Sequence, residues 1–299
     1  MSKIILVAGA TGNLGSKIVD ELLKLNASVK VLVRSQTDEK RIQYWASKNV
    51  EICKVEVYTI EEIAFVCKGV DCVVSVLAGF EDTIIDTQKI LVHGAIKAKV
   101  PRFIPSDFCT DFTNLIYGKN RNLDFRKKFH EYLNRQSIKS TSIFNGAFME
   151  LTTGDMPLIL FGKNKVLCWG DKNIKMDLTT TYNIATYTAH AALDETTPRY
   201  LRIAGESASC TDVADIMTQL TRSSYKIFRP GGIALFNVMI SIATFFDFSK
   251  KELYPAWQGM QYMRDMMEGR AEINKHDNDR YPVAWTRLKE HISSEKKFS

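Results

Sequence analysis

The regular alternation of apolar and amphipathic segments limits the fold more than any other feature of the chain. Residues 3–9 are almost wholly apolar, and residues 29–35 and 70–79 have the same character. Between the first two, apolar residues recur at helical spacing over positions 14–25. Strands that alternate with helices of about ten to fifteen residues are typical of parallel crossover connections. The sequence therefore predicts an α/β fold with a doubly wound parallel sheet.

The same periodicities continue along the chain. Further strands are predicted at 50–57, 102–108, 141–148 and 200–205. Helices are predicted at 38–48, 60–68, 84–99, 122–135 and 181–193. After Phe148 the pattern changes to a hairpin-like insertion at 158–171, and later to mostly helical spacing over 207–295.

This change of pattern divides the chain into two predicted parts. The sheet domain is expected to cover residues 1–150 and to be completed by about 177–206. Residues 151–176 and 207–299 are expected to form a smaller, mostly helical C-terminal lobe. At 299 residues, the chain is long enough for either part to bury a core.

A glycine-rich turn joins the first strand to the first helix. Its glycines have the spacing G-x-x-G-x-x-G, which permits a tight turn, a close approach of backbone to a pyrophosphate, and close packing of helix on strand. The free amides and the positive dipole at the helix N-terminus favour an anion there. We therefore predict a NAD(P)-binding Rossmann domain. The predicted cofactor contacts in this turn are Gly9, Thr11, Gly12, Asn13, Leu14 and Gly15.

Arg34 at the end of the second strand bears on the choice of cofactor. An NAD-preferring fold usually carries an acid there, which would repel a 2′-phosphate, whereas a guanidinium binds one with two hydrogen bonds. Arg34 therefore favours NADP(H), with NAD(H) as the alternative. Lys40 and Arg41 are expected to be secondary contacts.

Composition excludes several classes of function. The 40 cationic and 34 anionic side chains are mostly scattered, so no basic groove for nucleic acid is indicated. The six cysteines have no Cys-x-x-Cys spacing and no paired histidines nearby, which argues against a metal site. With no export signal ahead of the first strand, we expect a cytoplasmic protein. Residues 231–246 are apolar but short for a span of about 20 residues, so we expect a buried or interface helix there and no membrane span.

Several motifs together resemble one family. Beside the glycine spacing and Arg34, these are "GVDCVVSVLAG" at 69–79, "RFIPSDF" at 102–108 and "FNGAFME" at 144–150. They resemble the NmrA-like and isoflavone-reductase-like branch of the atypical short-chain dehydrogenases, in which Pro-Ser-Glu-Phe-Gly is common at the second motif. Cys109 replaces that glycine here.

The resemblance implies further site residues. Gly79 and Phe80 would lie along the cofactor, and Ser106 would lie near the nicotinamide. Asn145 and Gly146 would approach the nicotinamide or the substrate. The C-terminal lobe, including residues 255–263, would close over a small-molecule substrate.

Reducing members of this branch commonly carry a lysine on the helix after the Pro-Ser-Glu-Phe motif. Counted back from "EYL" at 131–133, that position is Arg126, which stays charged and cannot exchange a proton as lysine can. Arg126 is therefore either a site residue that binds an anion or part of a structural ion pair. Helical projection predicts that Lys127 points to solvent, and Asn122 is expected to cap the helix.

No catalytic dyad is evident. The Tyr-x-x-x-Lys match at Tyr44 and Lys48 lies on the adenine side and is interpreted as coincidence, while Tyr117 precedes Arg121 with the same spacing. Proton transfer would fall to a water or to one of three side chains, Tyr117, Lys128 and His130.

Two hypotheses of function follow. The first is an NADP(H)-dependent oxidoreductase that transfers hydride between nicotinamide and a small carbonyl or conjugated alkene. The second is a redox-sensing regulator that binds the dinucleotide without turnover and acts through a protein partner. The missing lysine favours the second, and the aromatic C-terminal lobe is compatible with the first, although its rings are equally suited to a core. A homodimer is compatible with either hypothesis, and an epimerase or dehydratase has no supporting dyad.

Overall fold

The computed structural model describes residues 2–56, 58–154, 156–247 and 252–295. The α-helices α1 to α10 are Asn13–Lys24, Glu39–Ala46, Ile60–Val66, Gln88–Lys97, Arg121–Leu133, Thr181–Leu193, Cys210–Thr221, Ile233–Phe245, Ala256–Met267 and Leu288–Ser294. The strands β1 to β14 are Ile4–Ala8, Ser28–Arg34, Glu51–Val55, Cys72–Ser75, Arg102–Ile104, Lys139–Ser140, Ser142–Phe144, Ala147–Phe148, Ile159–Leu160, Lys165–Trp169, Lys175–Thr179, Tyr200–Arg202, Glu206–Ser209 and Lys226–Gly231. Short 3-10 helices lie at Met149–Thr153, Phe161–Lys163 and Asn278–Arg280, and a π-helix at Asp82–Thr87.

The central sheet has six strands in the order β3-β2-β1-β4-β5-β6. Every neighbouring pair in it is parallel. A further parallel ladder joins β7 to β12, with Ser142 opposite Tyr200. This order, with its reversal between β1 and β4, confirms the predicted doubly wound Rossmann sheet.

Apolar side chains cover both faces of this sheet. On β1, Ile5 and Val7 pack with the cluster that includes α1 and α6, whereas Leu6 and Ala8 pack with the cluster under α3, α4 and α5. This alternation follows from the two-residue period of a strand, and it explains why β1 is apolar throughout. The two-sided burial holds the carboxyl ends of β1, β2, β4 and β5 at one edge, where the loops of the site begin.

Some boundaries differ from the predictions. Strand β3 ends at Val55, and Val57 lies outside the described residues. The side chain of Asn120, not Asn122, caps α5, because it accepts the Leu123 amide at 3.3 Å. The region after residue 207 is less helical than predicted, since β14 pairs with β10 in a small sheet.

Helix α8 is mostly exposed. The sequence predicts a buried or interface helix at 231–246, and within α8 only Phe236 and Ile240 are buried, so burial within the chain is not what the structure shows, whereas the alternative of an interface stays a prediction. Val238, Ile242 and Phe245 are 54, 54 and 79 % exposed. None of the described helices combines the length and the apolar character needed to cross a bilayer.

Candidate cofactor and substrate site

The glycine turn after β1 is held by close backbone contacts. Gly9 has φ +87°, and a Cβ added there would lie 2.5 Å from the Val76 carbonyl oxygen. A Cβ at Gly15 would lie 2.2 Å from the Gly9 carbonyl oxygen. At Gly12 the same atom would be 3.4 Å away, which is ordinary contact. Gly9 and Gly15 are therefore required by the protein itself, whereas Gly12 leaves its outer side open.

The start of α1 has free donors beside this turn. Gly12 is the N-cap residue, and no side chain caps the helix. The first amides of an α-helix lack partners within the helix, so they are available to an anion at this end. The geometry of the turn and of these donors fits a dinucleotide pyrophosphate.

A groove of about 420 Å³ adjoins the turn. Its walls are formed by Thr11, Gly12, Asn13, Ser16, Lys40, Arg41, Tyr44 and Trp45. The Arg41 guanidinium donates to the Thr11 carbonyl oxygen. Arg34 is exposed at the end of β2, and it lies outside the walls of this groove. Lys40 and Arg41, expected as secondary contacts, are thus the cations that line the groove.

Ser106 joins the loops that follow β4 and β5. Its hydroxyl donates to the Leu77 carbonyl oxygen at 2.5 Å, and its amide donates to the Gln88 side chain at 3.0 Å. Gly79 lies close to the Thr83 side chain, 2.5 Å from an added Cβ. These contacts fix the strand ends against which the resemblance places the nicotinamide.

Arg126 lies beneath Ser106. Its Nε donates to the Ser106 carbonyl oxygen and its Nη1 to the Asn122 carbonyl oxygen, both at 3.0 Å. The side chain is 8 % exposed, and no described carboxylate forms an ion pair with it. The predicted alternative of a structural ion pair is therefore not what the structure shows, and the nearby Asp124 pairs with Lys127 instead.

His130 belongs to a buried network one turn further along α5. Its Nε2 is hydrogen-bonded to the Asp107 carboxylate and lies 2.9 Å from the Ser142 hydroxyl. Ser142 donates to Asp107 at 2.7 Å and accepts from Arg199 at 2.7 Å. Burial alone would raise the pKa of Asp107, but His130, Ser142 and Arg126 outweigh it and hold that pKa below its ordinary value.

This set of Ser, His and Asp is not arranged for nucleophilic catalysis. A carboxylate only accepts, so the His130 Nε2 carries the proton directed at Asp107. That nitrogen therefore cannot act as the base for Ser142, whose own proton is also given to Asp107. The network instead anchors α5 to the loop that carries Ser106.

Lys127 is buried, contrary to the prediction that it faces solvent. Its Nζ donates to the Leu115 carbonyl oxygen at 2.5 Å and lies 5.2 Å from the centre of the Tyr117 ring. Burial lowers its pKa. Tyr117 itself lies in the loop before α5, so its four-residue spacing to Arg121 is not that of two residues on one helix.

The remaining predicted residues lie at the edges of the site. Lys128 is exposed and pairs with Glu81 at 3.0 Å. Asn145 is fully buried, and its side-chain nitrogen donates to the Gly146 carbonyl oxygen. Gly146 has φ +66°, and an added Cβ would lie 1.9 Å from the Asp177 carbonyl oxygen. In this conformation both residues lead directly into β8, which pairs in parallel with β11.

The C-terminal lobe contacts the start of α5 through α9, and we refer to the region between Ser106, α5 and α9 as the α5 cleft. The Arg121 guanidinium lies 5.2 Å from the Phe80 ring centre and 4.6 Å from that of Trp257. Asn120 donates to Asp265 at 2.8 Å and accepts from Gln258 at 2.8 Å. Arg121 thus connects Phe80, which is predicted to lie along the cofactor, with Trp257 of the C-terminal lobe.

Sequence reasoning misses three residues of this region. Asp107 lies within the motif that carries the resemblance, yet its buried pairing with His130 depends on a contact 23 positions away. Arg121 stands out in the sequence only for its spacing from Tyr117. Tyr262 is predicted only as part of the lobe, and the structure packs it against the cluster of Phe112, Leu123 and Phe144, with its hydroxyl hydrogen-bonded to Asn122 and within electrostatic reach of Arg126.

Fold and site together define a Rossmann-type α/β protein whose glycine turn and free helix N-terminus fit a dinucleotide. A sequence model of the NmrA-like family matches residues 1–255. The chain belongs to this NmrA-like family, and its expected resemblance is confirmed.

Relatives of known sequence agree with this assignment. The chain is 26% identical to the oxidoreductase aprR of Aspergillus flavus over 232 residues, which are 75% of each protein. It is 28% identical to pinoresinol reductase 1 of Arabidopsis thaliana over 72% of this chain and 71% of that protein. An isoflavone reductase-like protein of Olea europaea is 27% identical, over 64% of this chain and 65% of that protein.

Solved structures show the same fold. The structure of AtPrR2 with NADP+ and (+)pinoresinol aligns with a TM-score of 0.81 at 23% identity, over 98% of both chains. A crystal structure of isoflavone reductase aligns with a TM-score of 0.82 at 19% identity, over the whole of both chains.

Proposed function

We propose that this protein is an NADP(H)-dependent oxidoreductase that reduces a small carbonyl or conjugated alkene. The observation that carries the proposal is the combination of an open helix N-terminus at Gly12 with a cation-lined groove beside it. The relatives named as reductases, and the structural neighbour solved with NADP+, support the same choice.

The dinucleotide would be held by three parts of the chain. The turn from Gly9 to Gly15 would receive the pyrophosphate, and Arg34, Lys40 and Arg41 would surround the 2′-phosphate. The loops after β4 and β5 would place the nicotinamide beside Ser106. When bound there, the cofactor supplies a hydride.

The protein would contribute orientation, charge and a proton. Arg126 keeps its charge, so it binds and orients an electron-rich group of the acceptor but cannot deliver the proton. We assign the proton to Tyr262. Its hydroxyl is hydrogen-bonded to Asn122, whose backbone carbonyl accepts from Arg126, and burial raises its pKa, which keeps the phenol protonated at neutral pH.

The three proton donors expected from sequence are placed differently. Within the described residues, no hydrogen bond or ion pair joins Tyr117, Lys128 or His130 to Arg126. Tyr117 is close to Lys127, Lys128 is paired on the surface, and His130 is committed to Asp107. These three roles stay predictions, to be compared with that of Tyr262.

The test is a fluorescence titration with NADPH, NADP+, NADH and NAD+, followed by nicotinamide absorbance with a panel of enones, quinones and aldehydes. We expect tighter binding of the phosphorylated pair and consumption of NADPH with at least one acceptor. Tyr262→Phe should then lower kcat about 100-fold or more with NADPH binding unchanged. A wild-type rate in Tyr262→Phe would exclude this residue as the donor.

One observation favours the alternative of a redox-sensing regulator. The position matched to the family's lysine is Arg126, which cannot exchange a proton. If both redox states bind and no acceptor consumes NADPH, that alternative gains support. Copurification with a partner that depends on the redox state of the dinucleotide is then the next measurement.

A further inference from the structure

The Arg126 side chain is a buried cation with unused hydrogen-bond donors. It is 8 % exposed, and two of its nitrogens donate to the carbonyl oxygens of Ser106 and Asn122. Its Nη2 makes no hydrogen bond to any described residue. A buried charge is costly unless it is paired, and a guanidinium has five donors to satisfy. The side chain is therefore prepared for a partner that the folded chain itself does not provide.

Each anionic group near Arg126 is already hydrogen-bonded through at least one carboxylate oxygen, although the Oδ1 atoms of Asp107 and Asp124 have no hydrogen-bond partner among the described residues. Asp107 is bound by His130 and Ser142. On α5, Asp124 accepts the Gly118 amide at 3.0 Å and lies 4.0 Å from Lys127. On α9, Asp265 is bound by Arg264 at 2.6 Å.

The other groups that influence Arg126 electrostatically are a thiol and two phenols. Burial raises the pKa of the Cys109 thiol to about 12, so it carries no charge at neutral pH. Tyr254 and Tyr262 of the C-terminal lobe contribute phenol groups. The charge of Arg126 is thus only partly balanced from within the protein.

A second cation lies on the same side. Arg121 donates to the Asn122 side chain at 3.1 Å and to the Leu253 carbonyl oxygen at 2.7 Å, and no described carboxylate forms an ion pair with it. Asn122 therefore connects both guanidinium groups, since its backbone carbonyl accepts from Arg126. The rings of Phe80 and Trp257 flank Arg121, so the cations stand beside aromatic surface.

We propose that the substrate cleft takes an aromatic or conjugated carboxylate, whose carboxylate group binds Arg126. The free Nη2 and the remaining Nη1 donor form a planar fork, which matches two carboxylate oxygens. The nearby rings suit a flat apolar body. This proposal rests on the proposed function, because the acid is expected to bind beside a seated dinucleotide.

The test compares each acid with its neutral amide by calorimetry on the NADP+-loaded protein. The probes are benzoate against benzamide and cinnamate against cinnamamide. We expect each acid to bind at least tenfold more tightly than its amide. Arg126→Gln should abolish this preference, whereas Arg135→Gln, an exposed arginine just after α5, should preserve it. Arg126→Lys should retain part of it, because the charge remains but the planar fork is lost.

The outcomes separate this proposal from the proposed function. If NADP+ binds normally but neither acid is preferred over its amide, the carboxylate proposal is wrong and the dinucleotide assignment stands. If Arg126→Gln keeps the preference, the acid binds elsewhere and the proposal is equally wrong. If NADP+ does not bind, the proposed function is wrong. The same acid and amide pairs are then measured on the free protein, where a preference for the acids that depends on Arg126 supports the carboxylate proposal and its absence overturns it. If Arg126→Gln does not fold, the uncharged Arg126→Met takes its place, and an unchanged preference in that variant would overturn the proposal.

Discussion

The glycine turn and the α5 cleft are built in opposite ways. The turn lies within the first 15 residues, and it consists of closely packed backbone without side chains beside free backbone amides. The cleft is assembled from segments as distant as Leu77 and Asp265, and it consists of buried polar and charged side chains. The first region is thus defined by local backbone geometry, and the second by tertiary contacts that hold α5 in place.

This difference indicates where each region is vulnerable. A turn without side chains fails when an atom is added, because its backbone contacts leave no space. A network of buried polar groups fails when a proton or a charge is changed, because each group depends on the next. Substitutions that change only one or two atoms of a side chain therefore test directly whether the two regions differ in this way.

The largest effect is expected for Asp107→Asn. The amide removes the carboxylate that accepts from both His130 and Ser142, so a buried partner is lost without a change of volume. Breaking such a buried pair costs about 3 to 5 kcal/mol. Urea unfolding at pH 7 should show this loss, whereas Glu81→Gln, which breaks an exposed pair with Lys128, should change stability by less than about 1 kcal/mol.

The loss of stability in Asp107→Asn is expected to depend on pH, because the Asp107 carboxylate titrates. The pKa of Asp107 is lower in the folded protein than the unfolded value of about 3.9. Its contribution is therefore fully present above about pH 4 and is lost as the pH falls through the folded pKa. The difference in unfolding free energy between wild type and Asp107→Asn should narrow below about pH 4. A difference that widens there would mean that the folded pKa is raised instead.

Gly15→Ala should have the next largest effect. The new Cβ would lie 2.2 Å from the Gly9 carbonyl oxygen, so helix and turn must separate. Overpacking of this kind costs about 1 to 3 kcal/mol, and NADPH binding should weaken with it. The matched change Gly12→Ala, with its nearest atom at 3.4 Å, should leave stability nearly unchanged and weaken NADPH binding alone.

The two glycine variants can contradict the expected difference between Gly12 and Gly15. Equal losses of stability would mean that the protein also requires Gly12 for its own packing. Unchanged NADPH binding in Gly12→Ala would mean that no phosphate approaches the backbone there. Urea unfolding with and without NADPH measures both quantities in one series.

The features that could be predicted from the sequence are local, and those that could not be predicted depend on tertiary contacts. The order of elements and the glycine turn were predictable, because apolar periodicity and glycine spacing act between neighbours in the chain. The burial of Lys127 was not, since helical projection assumes that one face of α5 is covered. In the structure the sheet covers one side and the loop before α5 covers another, so that the Leu115 carbonyl oxygen binds Lys127. The cap at Asn120 was missed for a related reason, because it depends on what packs nearby.

The preference for NADPH over NADH is expected to change less. It tests which side chains beside the glycine turn bind the 2′-phosphate. Arg34→Asp should weaken NADPH about tenfold more than NADH, because it replaces an attractive charge near the 2′-phosphate with a repulsive one. Arg41→Gln should do the same if the phosphate lies in the groove that Arg41 lines. Fluorescence titrations with both nucleotides measure the preference. Equal weakening of NADPH and NADH in both variants would exclude these arginines from the 2′-phosphate site.

The smallest effect is expected on the exposed side of α5. Lys128→Met removes a surface pair with Glu81, so the free energy of unfolding should change by less than about 1 kcal/mol. Its neighbour Lys127 is the matched control, because Lys127→Met removes a buried hydrogen bond to Leu115 and should cost more. If Lys128 is not the proton donor, NADPH consumption by Lys128→Met should stay within about twofold of wild type. A loss of about 100-fold without a loss of stability would instead place the proton donor at the rim of the cleft. The α5 region would then combine the buried charge of Arg126 with an exposed proton donor, Lys128. In that case the buried network around Asp107 would matter for the stability of the protein more than for its catalytic rate.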